Sequence, residues 1–122
     1  MHSEEWNVEY TDEWRDWFDR LDESAQDVVS VAVGLLERVG PMLPYPYSSK
    51  IIGSRHAHMR ELRIQSGGRP FRSLNAFDPR RTAILLLGAD KTGSRRWYAE
   101  HVPRADRLYD EHIEALRREG RI

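Results

Sequence analysis

Hydrophobic residues follow a strand-like and then a helix-like spacing through the first part of the chain. Residues 6–10 alternate between apolar and polar side chains, which predicts a short strand with Trp6, Val8 and Tyr10 on one face. Thr11 is a suitable N-cap, and the acidic residues after it suit the positive end of a helix dipole. The next apolar side chains recur at helical spacing: Tyr10, Trp14, Trp17, Phe18 and Leu21. A strand followed by a first helix is therefore predicted.

A second helix is predicted up to the Gly40-Pro41 pair. Either Asp22 or Ser24 can cap its start. Glycine tolerates the left-handed conformation at a helix end and proline cannot continue a helix, so Gly40-Pro41 predicts its end. One helical stripe contains its apolar side chains: Leu21, Ala25, Val28, Val29, Ala32, Leu35, Leu36 and Val39. The two helices predict an αα-hairpin.

The second half of the chain predicts strands and a final helix. Residues 41–57 contain three prolines and predict an ordered loop, after which residues 58–64, 71–77 and 82–87 predict three strands. The third strand is continuously apolar, which favours a central place in the sheet. After a loop over residues 88–96, helical spacing resumes at Trp97. The order βαα–βββ–α predicts an α+β fold, with a small, mostly antiparallel sheet, the helical hairpin on one face and a C-terminal helix.

Composition narrows the possible functions. The chain has 122 residues and no cysteine, which predicts one domain over residues 1–122 and excludes disulfides, zinc–thiolate sites and a cysteine nucleophile. Its apolar runs are shorter than a membrane helix requires, and its acidic first ten residues lack a signal-peptide core, so we expect a cytoplasmic protein without membrane association. Motifs for nucleotide cradles are absent. His56 and His58 lack a third ligand at a recognisable spacing, so we expect neither a metal nor a cofactor.

Charge is distributed unevenly along the chain. Residues 1–30 contain ten acidic and two basic side chains, whereas residues 59–97 contain nine basic and three acidic ones. Eight of those nine bases are arginines, which bind phosphate through two parallel hydrogen bonds. The middle segment therefore indicates either an anion-binding surface or simply a solvated face. The net charge of −1 argues against non-specific binding to duplex DNA.

Strand alternation separates the basic side chains into two faces. Met59, Glu61 and Arg63 are expected on one face of their strand, and Arg60, Leu62 and Ile64 on the other. In the next strand, a shared face is expected for Arg72, Leu74 and Ala76. Such residues could converge on one phosphate, or Glu61 could form an ion pair with an arginine; the sequence leaves both open.

Three motifs in one order resemble the HigB-type branch of the RelE/ParE toxin superfamily. They are M-R-E-L-R-I-x-S-G-G-R-P-F-R-S-L-N-A-F-D, A-I-L-L-L-G-x-x-K and W-Y-x-x-x-V-P-x-A-D-x-L-Y-D-x-H, and the resemblance covers roughly residues 43–116. It implies a RelE-like fold and a bacterial type II toxin that cleaves mRNA on the ribosome without a metal. It also implies a helix-turn-helix antitoxin of the HigA type as partner, beside the ribosome and mRNA.

Matching the motifs residue by residue implies two groups of site residues. The implied catalytic residues are Arg72, Lys91, Arg63 and Tyr98. The implied RNA contacts around them are Arg60, Arg69, Arg95, Arg96 and His101. Arg72 would stabilise the charged phosphate, and Arg63 would lie near that phosphate or support the sheet. Lys91 would stabilise charge or act as an acid. Tyr98 would stack on a base or assist proton transfer.

The chain departs from the resemblance at one place. RelE-type members have lysines on the strand face where this chain has Met59 and Glu61. An acidic side chain there disfavours a bound phosphate, and it leaves Glu61 and His58 as alternative general bases. The departure also favours an alternative function, a non-catalytic binding module that inhibits a topoisomerase or only binds its antitoxin.

Overall fold

The helical hairpin begins and ends at the capping residues that the sequence predicts. A computed structural model describes residues 5–122, with strand β1 at Val8–Tyr10, helix α1 at Asp12–Asp19 and helix α2 at Glu23–Val39. The Thr11 side chain accepts a hydrogen bond from the Trp14 amide, and the Asp22 side chain accepts one from the Ala25 amide. Asp22, rather than Ser24, is therefore the N-cap of α2.

Gly40 ends α2 and turns the chain into a short 3₁₀ helix at Gly40–Met42. Its φ is +67°, which glycine adopts readily. A side chain here would also collide with the Trp6 indole, because a Cβ built on Gly40 would lie 2.4 Å from that ring. The close approach of Trp6 therefore requires glycine at this helix end.

Five strands form one sheet in the order β1-β5-β4-β3-β2. Strand β2 is Ser48–Lys50, β3 is Arg60–Ser66, β4 is Arg69–Phe77, and β5 is Ala83–Asp90. Strand β1 pairs with β5 in parallel and the remaining pairs are antiparallel. Gly67 and Gly68, both at positive φ, form the tight turn between β3 and β4. The sheet is thus mostly antiparallel, as predicted.

The two faces of the sheet are covered by different helices. The hairpin packs on the face that contains Leu62, Ile64, Phe71, Ala83 and Leu85. Helix α3, at Trp97–Arg118, packs on the opposite face through residues such as Trp97, Val102 and Tyr109. Residues 83–87 of strand β5 are all apolar because they face the two helical layers.

The structure corrects the bounds of several predicted strands. Strand β3 is Arg60–Ser66 rather than residues 58–64, and β4 is Arg69–Phe77 rather than residues 71–77, because the two strands stay paired up to the glycine turn. Residues 48–50 form strand β2 within the predicted loop, because their backbone pairs with β3 although their sequence has no apolar alternation. Strand β5 continues to Asp90, beyond the predicted end at residue 87, because β4 pairs with it up to that residue. Strand β5 lies inside the sheet, as its continuous apolar run predicts, because β1 and β4 pair with its two edges. Strand β1 is shorter than predicted and begins at Val8.

None of the helices described between residues 5 and 122 combines the length and apolarity of a membrane span.

Candidate active site

The register of β3 and β4 brings the motif arginines together on the sheet face toward α3. Arg63 lies opposite Arg72, and Glu61 lies opposite Leu74, which packs beneath α3. Because side chains opposite each other in a ladder point to the same face, Glu61, Arg63 and Arg72 share one surface. The edge strand β2 adds Ser49 to that surface, directly opposite Glu61.

Glu61 contacts four side chains at the centre of this surface. Its Oε1 accepts a hydrogen bond from the Tyr98 hydroxyl at 2.8 Å and lies 3.4 Å from Arg72 Nε. Its Oε2 accepts a hydrogen bond from the Ser49 hydroxyl at 2.6 Å and lies 3.6 Å from Arg63 Nη1. We call Glu61, Ser49, Arg63, Arg72 and Tyr98 the Glu61 cluster. Glu61 therefore lies between two guanidinium groups and accepts hydrogen bonds from a phenol and a serine hydroxyl.

The two arginines of the Glu61 cluster differ in exposure. The Arg72 side chain is 9% exposed, and its Nη1 donates a hydrogen bond to the Phe71 carbonyl. The Arg63 side chain is 28% exposed and its guanidinium lies over the Tyr45 ring. Two positive charges against one carboxylate leave the cluster with net positive charge. Arg72 is thus a rigid, buried cation, and Arg63 is the cation nearer to solvent.

Lys91, in the loop after β5, borders the Glu61 cluster at Tyr98, which lies in the first turn of α3. The Lys91 amide donates a hydrogen bond to the Pro70 carbonyl, which anchors the loop beside β4. The Lys91 Nζ lies 5.5 Å from the centre of the Tyr98 ring. Burial and the hydrogen bond to Glu61 raise the pKa of Tyr98 above its ordinary value, although Arg72 opposes this shift. Tyr98 is therefore a protonated hydroxyl at neutral pH, beside a third cation.

A groove opens next to the Glu61 cluster. It is lined by Lys50, Ile51, Ile52, Glu61 and Tyr98. Its position between the end of β2 and the start of α3 gives a ligand access to Tyr98 and to the edge of the cluster. Of the four implied catalytic residues, Tyr98 lines this groove, Arg63 and Arg72 lie behind it next to Glu61, and Lys91 lies beside the Tyr98 ring.

The implied RNA contacts are spread over other surfaces. Arg60 faces the hairpin side of β3 and donates a hydrogen bond to Ser48, and Arg69 lies on the same side, over the Phe71 ring and near Asp22. This follows from alternation, because both lie at strand positions that point away from Glu61. Arg95 and Arg96 are exposed just before α3. The structure therefore separates Arg60 and Arg69 from the predicted site.

His101 lies in a different groove from Tyr98. Its ring stacks on Trp97 with ring centroids 4.3 Å apart, and its Nδ1 lies 2.7 Å from the Trp97 carbonyl oxygen. It lines a groove at the outer side of β5 together with Glu13 and Arg104, which form an ion pair. Arg69 lines the same groove, so two of the implied RNA contacts lie there and not in the groove at Tyr98.

The two alternative general bases contact different parts of α3, Glu61 at Tyr98 in its first turn and His58 at Tyr109 beyond its middle. His58 lies next to the C-terminal half of α3, with its Nε2 3.1 Å from the Tyr109 hydroxyl. That hydroxyl donates a hydrogen bond to the Phe77 carbonyl, at the end of β4. Burial lowers the pKa of His58, and the nearby His56 lowers it further. Glu61 lies within the cluster, but both of its oxygens already have partners. The placement favours Glu61 over His58 as the acid–base group of this site.

Ser49 and Tyr45 are members of the site region that sequence reasoning missed. Ser49 lies in strand β2, which the composition of the predicted loop does not indicate. Its partner Glu61 follows only from the β2–β3 register. Tyr45 belongs to the Y-P-Y run of the same loop, and an aromatic residue next to prolines is the local signal there. The structure shows that its side chain is exposed.

Within residues 5–122, no three acidic or histidine side chains are arranged to hold a metal ion.

Comparisons with known proteins agree with this architecture. Residues 16–110 match the family described as phage-derived protein Gp49-like. The chain is 41% identical over 99 residues to HigB2 of Mycobacterium tuberculosis (strain ATCC 25618 / H37Rv), covering 80% of this chain and 49% of that protein, and so spans about half of its length. It is 46% identical over 91 residues to HigB3 of the same organism, covering 74% of this chain and 78% of that protein. Both relatives are named as toxins.

A solved structure shares the fold. It is the crystal structure of the archaeal RelE–RelB complex from Pyrococcus horikoshii OT3, with a TM-score of 0.55 and 11% sequence identity, covering 73% of this chain and 98% of that chain. The family match spans most of the chain and includes helix α2, strands β2 to β5 and the segment of α3 that carries Tyr98. The chain therefore has a RelE-like fold and belongs to the phage-derived protein Gp49-like family.

Proposed function

We propose that this protein is the toxin of a type II toxin–antitoxin pair and that it inhibits translation by cutting mRNA on the ribosome. The observation that carries the proposal is the Glu61 cluster with Lys91, which gathers three cations and a phenol beside an open groove. Its proposed partners are a helix-turn-helix antitoxin of the HigA type, the ribosome and mRNA. The similarity to HigB2 and HigB3 supports the toxin assignment.

The proposed reaction needs charge stabilisation more than a nucleophile from the protein. The ribose 2′-oxygen loses its proton and attacks the adjacent phosphorus, while the 5′-oxygen leaves and takes up a proton. The products are a 2′,3′-cyclic phosphate and a 5′-hydroxyl. Negative charge builds up on the phosphorane, and preorganised cations in a site shielded from water stabilise it strongly.

The Glu61 cluster provides those cations in a fixed arrangement. Glu61 orients the guanidinium groups of Arg63 and Arg72, so little reorganisation is needed when the phosphate becomes more negative. Lys91 lies at the rim beside Tyr98 and is suited to neutralise or protonate the leaving 5′-oxygen. In this arrangement Arg72 and Lys91 act on the phosphate, and Glu61 positions the guanidinium group of Arg72.

Proton removal from the 2′-hydroxyl is assigned to Tyr98 and Glu61 acting together. Both side chains line the groove, but the Glu61 side chain is only 5% exposed, so the Tyr98 hydroxyl is the group that a ligand reaches. The Tyr98 oxygen can accept the proton of the 2′-hydroxyl as its own proton passes to Glu61 Oε1, 2.8 Å away. General base catalysis of this kind contributes about 10²- to 10⁴-fold to a rate.

One feature favours a second function, a non-catalytic binding module. Glu61 already neutralises part of the charge of Arg63 and Arg72, which reduces the attraction for a phosphate. A protein of this fold could then arrest growth by binding a topoisomerase, or could bind only its antitoxin. The two functions differ in one outcome, because only the ribonuclease cuts mRNA.

Brief induction of the protein in cells, followed by primer extension on cellular mRNA, tests the proposal. We expect cuts within translated regions for the wild type, their loss in Arg72→Ala/Lys91→Ala, and a large decrease in Tyr98→Phe. The matched control is Arg38→Ala/Arg107→Ala, which removes two exposed positive charges from the helices and should leave the cuts intact. Growth arrest without cuts would support the binding module instead. Cuts that persist in Arg72→Ala/Lys91→Ala would refute the proposed site.

A further inference from the structure

Exposed apolar side chains concentrate in one short segment beside the Glu61 cluster. Most large hydrophobic residues of the chain are buried, and four of the exposed ones lie between residues 42 and 52: Met42, Tyr45, Tyr47 and Ile52. Tyr45 is 69% exposed and Tyr47 is 51% exposed. Contiguous exposed apolar groups of this kind mark interaction sites more often than single ones do.

Arg63 joins this segment to the Glu61 cluster. Its guanidinium carbon lies 5.1 Å from the centre of the Tyr45 ring, while its Nη1 lies 3.6 Å from Glu61 Oε2. The Arg63 amide donates a hydrogen bond to the Tyr47 carbonyl, which continues the β2–β3 ladder and sets Tyr47 opposite Arg63. Tyr47 lies in the turn just before β2, and this backbone hydrogen bond fixes it beside Arg63 at the edge of the Glu61 cluster. Two exposed tyrosines thus lie next to a cation of the proposed active site.

The chemistry of this surface fits a single-stranded nucleic acid. Proteins bind such strands by combining a positively charged path for the backbone with aromatic rings on which bases stack. Arg63 and the exposed Lys50 supply positive charge here, and Tyr45 and Tyr47 supply rings that have free area. The surface is also continuous with the groove at Tyr98 through strand β2. An RNA strand with its reactive phosphate at the cluster would therefore meet these rings with a neighbouring nucleotide.

We propose that Tyr45, Tyr47 and Arg63 form a base-stacking subsite for the nucleotides that flank the cleaved phosphate. The subsite rests on the proposed ribonuclease function and extends it by naming where unpaired bases bind. Stacking is tolerant of sequence, because every base has an aromatic face, so this subsite supplies affinity rather than codon choice.

The test compares two uncleavable probes that share a backbone. One is a 2′-O-methyl hexa-adenylate, and the other has the same backbone without bases. Binding is measured by fluorescence anisotropy for the wild type, Tyr45→Leu/Tyr47→Leu and Tyr45→Phe/Tyr47→Phe. Tyr10→Leu is the matched control, because Tyr10 is also 51% exposed but lies on β1, at the opposite edge of the sheet.

The wild type should bind the probe with bases about tenfold or more tightly than the baseless probe for each base that stacks. Tyr45→Leu/Tyr47→Leu should lose this preference while keeping the affinity for the baseless probe. The phenylalanine variant and Tyr10→Leu should retain the preference. A leucine variant that binds like the wild type would overturn the subsite, as would a wild type that binds neither probe or does not distinguish them.

Two further outcomes separate the stacking subsite from a self-association surface and from the ribonuclease activity. If Tyr45→Leu/Tyr47→Leu changes self-association in sedimentation experiments but not RNA binding, the surface is an interface between copies and the subsite is wrong. If the subsite fails while the wild type still cuts mRNA in cells, the proposed function stands. Base-dependent binding by a protein that leaves mRNA uncut would instead refute the ribonuclease and keep the stacking surface.

Discussion

Replacing Glu61 by glutamine removes the negative charge of the Glu61 cluster while preserving its shape. The amide oxygen can still accept a hydrogen bond from Tyr98 or Ser49, but it cannot neutralise a guanidinium. Arg72 would then be a positively charged side chain, 9% exposed, without a counter-charge. The substitution therefore measures how much the arrangement of the site depends on this carboxylate.

The expected loss of stability follows from the burial of the two arginines. Removing one partner of a buried ion pair costs about 3–5 kcal/mol, because the remaining charge is uncompensated. Arg63 is more exposed and can regain water, so its share is small. The pair with Arg72 is longer than an ideal hydrogen bond, at 3.4 Å, which favours the lower end of the range. We expect Glu61→Gln to lower the free energy of unfolding by about 3 kcal/mol.

Urea denaturation followed by circular dichroism measures this loss as a shift of the midpoint at constant m value. The control is Glu114→Gln, which removes a surface glutamate that is 70% exposed and paired with Arg118. Surface pairs contribute about 1 kcal/mol or less, so this control should stay close to the wild type. Glu61→Gln/Arg72→Met should recover most of the lost stability, because it no longer buries an unpaired charge. If Glu61→Gln is as stable as the control, the charge-balance argument is wrong.

Two other substitutions test the framework around the site. Burial alone would raise the pKa of Asp78, but hydrogen bonds from Arg80 and His112 outweigh it and hold the pKa below the ordinary 3.8. A carboxyl whose pKa is depressed in the folded state stabilises the protein above about pH 4, and this stability is lost as the pH falls through the folded-state pKa. Between pH 5 and pH 3 the urea midpoint should therefore fall less for Asp78→Asn than for the wild type. An equal fall for both proteins would contradict this prediction. In Gly88→Ala the new Cβ would lie 2.3 Å from the Trp17 ring, so thermal unfolding should show a loss of about 1–3 kcal/mol. The control Gly34→Ala, with its nearest neighbour at 3.7 Å in the middle of α2, should instead gain about 0.5–1 kcal/mol, and a similar effect of both substitutions would refute the packing argument.

Local signals in the sequence were sufficient for the helices. The hairpin boundaries depend on side-chain caps at Thr11 and Asp22 and on the Gly40-Pro41 pair, and all three act within one helical turn. The same holds for the start of α3 at Trp97, where helical spacing resumes after the loop. Strand β2 was missed because Ser48–Lys50 has no pattern of its own and exists through its pairing with β3.

The site required information that only strand pairing supplies. Alternation predicted that Glu61 and Arg63 share a face and that Arg60 lies on the other, and the structure confirms this. Alternation within one strand does not show which residues of the neighbouring strand share its face. The pairing of Arg63 with Arg72 in the β3–β4 register shows that Arg72 shares the face of Glu61 and Arg63. The ion pairs of Glu61, which the sequence left as one of two possibilities, are formed. The placement of Arg69 on the hairpin face follows from the same register.

The chemistry of the RNA ends tests the central claim most directly. After brief induction of the protein, the ends at each cut in cellular mRNA are identified by ligation that depends on the terminal group. The account predicts 2′,3′-cyclic phosphates and 5′-hydroxyls at cuts within translated regions, absent from cells that express Arg72→Ala/Lys91→Ala. Growth arrest with intact mRNA, or cuts that end in 3′-hydroxyls, would contradict it.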